Sequence, residues 1–143
     1  MDADHRPPRL HAALAVAAGG AIGAVLRWTF NETFPRGGGE FPWATFTENI
    51  VGALLLGVVA TLILHRVRVG RYTQPFLCIG VFGSFTTFSN FSVEALDLSR
   101  GDRPWLAFAY SSTSVATGLV AAMLGFMIAR AIVRHLDGRK WVP

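Results

Sequence analysis

Charge is what this sequence has least of. Of its 143 residues only 15% are Asp, Glu, Lys or Arg, while 52% are hydrophobic. The scarcity is concentrated: Leu10–Leu26, Asn49–Leu64, Gln74–Val93 and Pro104–Ala129 contain none of the four charged types. A small soluble domain needs alternating polar faces, and these runs exclude one. Cysteine is nearly absent. Cys78 alone rules out an intrachain disulfide and a multi-cysteine metal site, and within an apolar run it reads as a small packed residue. The four histidines, His5, His11, His65 and His135, are scattered at the edges of the runs. No nucleophile–base pair or metal-ligand spacing is visible, so an enzyme is not expected. The net charge of +4 leaves no soluble basic domain to hold nucleic acid, and none is expected as a partner. Tandem repeats and low-complexity segments are missing too.

What is present is hydrocarbon-compatible length. Each uncharged run, with its flanks, approaches the roughly 20 residues that a helix needs to cross a bilayer. The expected fold is an all-α membrane protein, a single domain over residues 1–143 with four transmembrane helices in contact with membrane lipid. The helices are expected at about 10–30, 43–64, 74–98 and 104–133. Met1–Arg9 before an apolar run also resembles a signal peptide, but the length of the run and the three spans behind it favour a retained first helix. Gly19 and Gly23, and Ala121 and Gly125, are pairs of small residues four apart that allow close helix approach. Asn31–Phe41 and His65–Arg71 read as loops, Pro42 suits a first helical turn, and Trp43 suits an interfacial belt.

The third run is interrupted. Its centre is Gly80-Val81-Phe82-Gly83-Ser84-Phe85-Thr86-Thr87-Phe88-Ser89-Asn90-Phe91, rich in residues that weaken a helix. In lipid, irregular backbone survives only where it is buried in protein or lines a wet cavity. A polar break at mid-membrane depth therefore points to an ion or substrate site. Phe88 and Phe91 are three apart and share a helix face, offering two electropositive ring edges to a small anion. On the fourth helix Tyr110, Ser114 and Thr117 form one stripe. Glu48 is an intramembrane carboxylate, a functional candidate by default. The favoured structural reading pairs it with Arg27, which otherwise serves as a snorkelling anchor.

The basic residues set an orientation. Arg6, Arg9, Arg66, Arg68, Arg71, Arg130, Arg134, Arg139 and Lys140 fall on one side of a four-helix layout, nine of the 13. Arg27, Arg36, Arg100 and Arg103 make four on the other. The bias puts both termini in the cytoplasm, with the cell membrane as the location.

Three blocks carry a resemblance that covers nearly the whole chain. They are Gly19-Gly20-Ala21-Ile22-Gly23-Ala24-Val25-Leu26-Arg27-Trp28; Pro42-Trp43-Ala44-Thr45 leading to Asn49 and Gly52; and Gly83-Ser84-Phe85-Thr86-Thr87-Phe88-Ser89-Asn90-Phe91-Ser92. In these the chain resembles the CrcB/Fluc family of fluoride channels. The resemblance implies an antiparallel dimer with two fluoride pores, each lined by both subunits, that exports cytoplasmic fluoride passively and relieves its toxicity. It implies that Phe88 and Phe91 present their edges to fluoride and that Asn49 is an amide donor. Tyr110 and Ser114 would form a polar track. Thr87 and Ser89 would lie beside the break, and Glu94 at the pore mouth. The backbone carbonyls of Gly83 and Thr86 would hold a structural Na⁺ at the dimer centre. Fluoride is strongly hydrated, and neutral donors of this kind replace its water without trapping it.

The chain departs from the family pattern at Ser84 and Ala44, where Gly is usual, at Asn90, where Thr is usual, at Gly118, where Ser is usual, and at Glu48, where an apolar residue is common. The charge bias is a further departure, since a chain that pairs with itself in both orientations should carry little. It favours a heterodimer with an oppositely oriented homologous subunit over a homodimer. Two rival readings stand beside the channel. A small multidrug-type antiporter also has four helices, yet needs a first-helix carboxylate that Leu10–Leu26 lacks, leaving only Glu48 and Glu94. A non-transporting subunit would explain Gly118 but not the retention of the other pore residues.

Overall fold

The computed structural model describes residues 9–34, 40–65 and 70–138, with the side chains of 136–138 outside that description. The tail before residue 9, the Pro35 and triple-glycine part of the first loop, residues 66–69 of the basic loop and the carboxy-terminal residues from 139 lie outside it as well. The regular elements among the described residues are all helical, and four segments are long and apolar enough to cross a membrane: Arg9–Thr33, Trp43–Leu64, Pro75–Arg100 and Pro104–His135.

Helix α1 is Arg9–Thr33, one turn longer than the apolar run implies. The extra turn is held by side chains that bond back onto it. Thr29 and Thr33 hydroxyls donate to the Val25 and Thr29 carbonyls at 3.0 and 2.9 Å, and Asn31 Nδ2 donates to the Arg27 carbonyl at 2.9 Å. Helix α2, Trp43–Leu64, begins directly after Pro42, whose carbonyl accepts from Phe46 N–H at 3.0 Å. The last helix, α5, is Pro104–Gly138. At 1.5 Å per residue its 35 residues extend well past the roughly 30 Å of hydrocarbon.

The third span is built in pieces. Pro75–Val81 is a π-helical segment, Phe82–Phe85 is a single α-turn (α3), and helix α4 is Phe88–Arg100. Between α3 and α4 the backbone is extended at Thr86 (φ −75°, ψ 153°) and Thr87 (φ −145°, ψ 121°). The expected break is therefore at Thr86-Thr87, at the junction of two half-helices. A tight turn at Gly101-Asp102 then leads into α5, with Gly101 N–H on the Asp97 carbonyl at 2.9 Å and Asp102 at φ 57°.

Small residues set the packing. Gly19 and Gly23 are the buried residues of α1. A Cβ on either would stand 2.2 Å from a carbonyl oxygen of the π segment, Phe76 O or Val81 O. Carbonyls five apart lie on one face of a π turn and glycines four apart on one face of an α-helix, so the two rows meet in register. Gly80 answers from the other side, close against Val16 and Gly19. Helices α2 and α5 pack in the same manner: a Cβ on Gly57 would meet Ala122 O at 2.5 Å, and one on Gly125 would meet Leu54 O at 2.2 Å. Large apolar side chains, among them Leu14, Trp28, Phe108, Leu119 and Met123, are left outside, as a hydrocarbon solvent permits.

Candidate functional site

The site is organised by one face of α2. Thr45, Glu48, Asn49 and Gly52 recur at helical spacing and so point the same way. Each meets a different part of the molecule.

Asn49 holds the break. Its Nδ2 donates to the Thr87 carbonyl at 3.0 Å, and Thr87 N–H donates to its Oδ1 at 2.9 Å. One carboxamide thus satisfies both polar groups of a peptide residue that has left the helix, a need that hydrocarbon makes acute. The amide nitrogen keeps a second hydrogen, since a carboxamide has two. Thr87 then starts α4: its hydroxyl accepts from Asn90 N–H at 3.2 Å and lies 3.2 Å from Ser89 Oγ, a side-chain cap of the new helix. Thr86 closes α3, its N–H and hydroxyl both donating to Phe82 O at 3.0 and 2.8 Å. Gly52 lets this corner approach, for a Cβ there would stand 2.2 Å from Thr86 Cγ2.

The break also frees backbone oxygen. In an unbroken helix Gly83 O would accept from Thr87 N–H, but that hydrogen goes to Asn49. The last carbonyls of a helix have no intrahelical donor, which places Gly83 and Thr86 oxygens among those released. Gly83 is exposed on the single chain.

Less than two turns along α4 lies a second polar cluster. Glu94 Oε1 accepts from the Thr45 hydroxyl at 2.8 Å and Oε2 from the Tyr110 hydroxyl at 2.9 Å. Tyr110 is 0% exposed, and Phe91 packs on its ring at 5.3 Å between centroids. One turn further on α5, the Ser114 hydroxyl is buried and meets no hydrogen-bond partner among the described residues. Thr113 and Thr117 instead bond back to carbonyls of their own helix, as Ser and Thr do in membrane helices.

The structure thus gathers Asn49, Thr87 and Ser89 at the break, and Phe91, Glu94 and Tyr110 beyond it. Phe88 stands apart. Its ring lies 5.7 Å from that of Phe91 but is 79% exposed, directed away from the chain. Glu48 is fully buried, and α1 meets it with Asn31, whose Nδ2 donates to Glu48 Oε1 at 2.7 Å. Among the described residues Arg27 makes no ion pair with it; Asn31, which does reach Glu48, is one turn further along α1, on the turn that the sequence assigned to a loop. Ser84 packs on α1, its Oγ 3.2 Å from where a Gly20 Cβ would sit, while a Cβ on Gly118 would meet nothing within 4 Å. Sequence reasoning missed three participants: Thr45, legible in retrospect from its four-residue spacing to Asn49; Asn31; and Phe41, a loop residue with no periodic signal whose ring lies 5.3 Å from that of Tyr110.

Comparison with known proteins finds relatives over most of the chain. Residues 14–126 match the family described as CrcB-like protein, Camphor Resistance (CrcB). The chain is 37% identical over 121 residues to a protein of Rhizobium meliloti (strain 1021) named Fluoride-specific ion channel FluC, covering 84% of this chain and 97% of that one. It is 38% identical over 118 residues to Fluoride-specific ion channel FluC 1 of Mycobacterium tuberculosis (strain CDC 1551 / Oshkosh), covering 82% and 89%. A Magnetococcus marinus protein, Fluoride-specific ion channel FluC, is 38% identical over 118 residues, covering 82% and 96%.

Proposed function

The chain belongs to the CrcB family, and from that premise we propose that it is a fluoride-specific ion channel, releasing cytoplasmic fluoride down its gradient. The observation that carries this reading is the mid-span break at Thr86-Thr87, held open by Asn49 at 3.0 and 2.9 Å. Hydrogen fluoride enters cells from acid surroundings and dissociates at neutral pH. A passive anion path in the membrane then suffices for export.

The donors available to the anion are neutral: the second Asn49 amide hydrogen, the hydroxyls of Thr87, Ser89 and Ser114, and the ring edges of Phe88 and Phe91. Thr45 and Tyr110 hydroxyls are engaged by Glu94, so an anion uses them only when that carboxylate turns aside. The pore is completed by a second, antiparallel subunit. Phe88, at 79% exposure, is free to meet such a subunit, and the dimer would carry two pores. The Gly83 and Thr86 carbonyls suit a hard monovalent cation, because the break leaves them without helical donors and hard cations take oxygen ligands. They would hold a structural Na⁺, whose charge would offset the carbonyl dipoles that the break leaves unpaired. The residues of one chain do the rest: Asn49 fixes the corner and Thr87 caps α4.

The charge count supports a second reading of the assembly. With nine Lys and Arg on one side and four on the other, the chain inserts with both termini in the cytoplasm and pairs with an oppositely oriented homologue. An antiporter reading is weaker: both Glu94 oxygens accept bonds within the fold, and nothing in that reading explains the break. Fluoride efflux from liposomes holding the purified chain, with chloride as control, tests the proposal. Fluoride-only efflux from the chain alone establishes a self-sufficient channel. Efflux only after co-reconstitution with an inverted homologue establishes the heterodimer. No fluoride efflux in either case refutes the function.

A further inference from the structure

Resting on the channel reading, we propose that Phe41 is a positioning residue for fluoride conduction, a third aromatic that fixes the Tyr110 hydroxyl from outside the helices. Phe41 belongs to no helix; it lies in the segment that leads into α2. Its ring nevertheless meets Tyr110 edge-to-face, centroids 5.3 Å apart and planes at 88°. Phe91 lies at the same 5.3 Å from the Tyr110 ring, at 44°. The Tyr110 ring is therefore packed by two phenylalanines, one from the pore helix and one from the loop.

Phe41 is itself braced. Phe46 meets it at 5.2 Å and 71°, and Trp43 at 4.5 Å and 44°. Its carbonyl accepts from Trp43 N–H at 2.8 Å, a tight turn that ties the ring to the start of α2. That same helix start carries Thr45, the other hydroxyl on Glu94. The loop aromatic thus couples the two donors that flank one carboxylate: α2 brings Thr45, and the Phe41 ring, packed against Trp43 and Phe46 of α2's first turn, holds Tyr110. A phenol ring turns about two side-chain bonds, and contacts on both sides stop it turning. Its hydroxyl then stays where Glu94, or an anion in Glu94's place, can use it.

An edge-to-face pair of this kind is worth a few-fold in an equilibrium constant, so the loss of the ring edge is expected to slow fluoride efflux about twofold to tenfold. Phe41→Leu keeps apolar bulk and removes the ring; Phe41→Met is a second variant should Leu fail to fold; Phe41→Tyr keeps the ring. Efflux and melting temperature are measured for each, alone and with Tyr110→Phe, in the same subunit assembly that gives the wild-type chain its flux. The expected result is slowed efflux in the Leu and Met variants beyond what their small fall in melting temperature accounts for, near-normal efflux in Phe41→Tyr, and no additional effect of Phe41→Leu on efflux once the Tyr110 hydroxyl is gone. Wild-type flux with unaltered efflux in Phe41→Leu and Phe41→Met overturns the inference and leaves the channel standing. So does an equal loss in the Tyr110→Phe background, or a loss that follows melting temperature. Absence of fluoride flux in the wild-type chain under every assembly overturns the channel reading and this inference with it.

Discussion

Replacing Asn49 by Leu tests whether the break is held by one side chain. Leu has the same branched arrangement of heavy atoms and removes both bonds to Thr87, the 3.0 Å donation to its carbonyl and the 2.9 Å acceptance from its N–H. Hydrogen bonds between membrane helices average about 0.6 kcal/mol each and reach about 1.7. A buried peptide N–H left alone adds about 1–3 kcal/mol. Thr87 is only 6% exposed and its backbone is extended, so neither water nor a helical neighbour replaces the lost partner. The expected cost is about 2–4 kcal/mol of unfolding free energy, taken from these two terms. Equilibrium unfolding in mixed detergent micelles measures it, and liposome efflux measures the accompanying loss of fluoride flux. Asn49→Asp separates the roles. It still accepts from Thr87 N–H, but as a carboxylate it has no hydrogen to donate and sets an oxygen against the Thr87 carbonyl, so it should lose the flux as fully as Leu. An Asn49→Leu protein that unfolds within about 0.5 kcal/mol of wild type, the range of an ordinary surface change, would refute the clamp.

Gly52→Ala places a Cβ 2.2 Å from Thr86 Cγ2, and the Thr86 rotamer is fixed by its hydroxyl bond to Phe82 O at 2.8 Å. The expected cost is about 1–3 kcal/mol of overpacking, read as a lowered melting temperature, and Thr86→Ser, which removes that methyl, should restore most of it. Phe88→Ile alters a side chain that is 79% exposed on the single chain. It should leave stability within about 0.5 kcal/mol while abolishing fluoride efflux; preserved efflux would remove Phe88 from the pore. Gly118→Ser enters open space, with nothing within 4 Å, and should change neither melting temperature nor efflux in the direction of loss.

Hydrocarbon makes much of this fold legible from sequence, because it demands long uncharged runs, and the four runs became four spans. The same signal stops being informative where polarity returns. Helix α5 continues past Ala129 through Arg130 and Arg134 to Gly138, since a helix outside hydrocarbon tolerates charge. The end of α1 was obscured differently: Asn31 and Thr33 are residues that often leave helices, yet here their side chains bond back and lengthen this one. The break was visible in the Gly, Ser, Thr and Asn content of the third run. The π segment before it was not, for it depends on the carbonyls of Phe76 and Val81 finding Gly19 and Gly23 across an interface. Glu48 illustrates the same limit. A buried carboxylate announces that it needs partners, but which turn of α1 reaches it depends on rotation, and rotation brought Asn31 rather than Arg27.

The third span can be broken because its halves belong to different packing units. The π segment and α3 dock chiefly on α1, and α4 docks chiefly on α5. Each half has its own support, so continuity of the helix between them is not needed to place either. What is needed is a part that touches both, and α2 supplies it along a single face: Gly52 against Thr86 at the end of the first half, Asn49 on Thr87 at the corner, and Thr45 on Glu94 in the second half. A helix is stiff along its axis, so three contacts spread over two of its turns fix the angle and offset between the half-helices as a splint would. The freed carbonyls of α3 and the capped start of α4 are thereby held at one place in the membrane. For an ion that must exchange its water for donors, a rigid set of neutral groups at a fixed corner is what a break in the backbone can offer and an unbroken helix cannot.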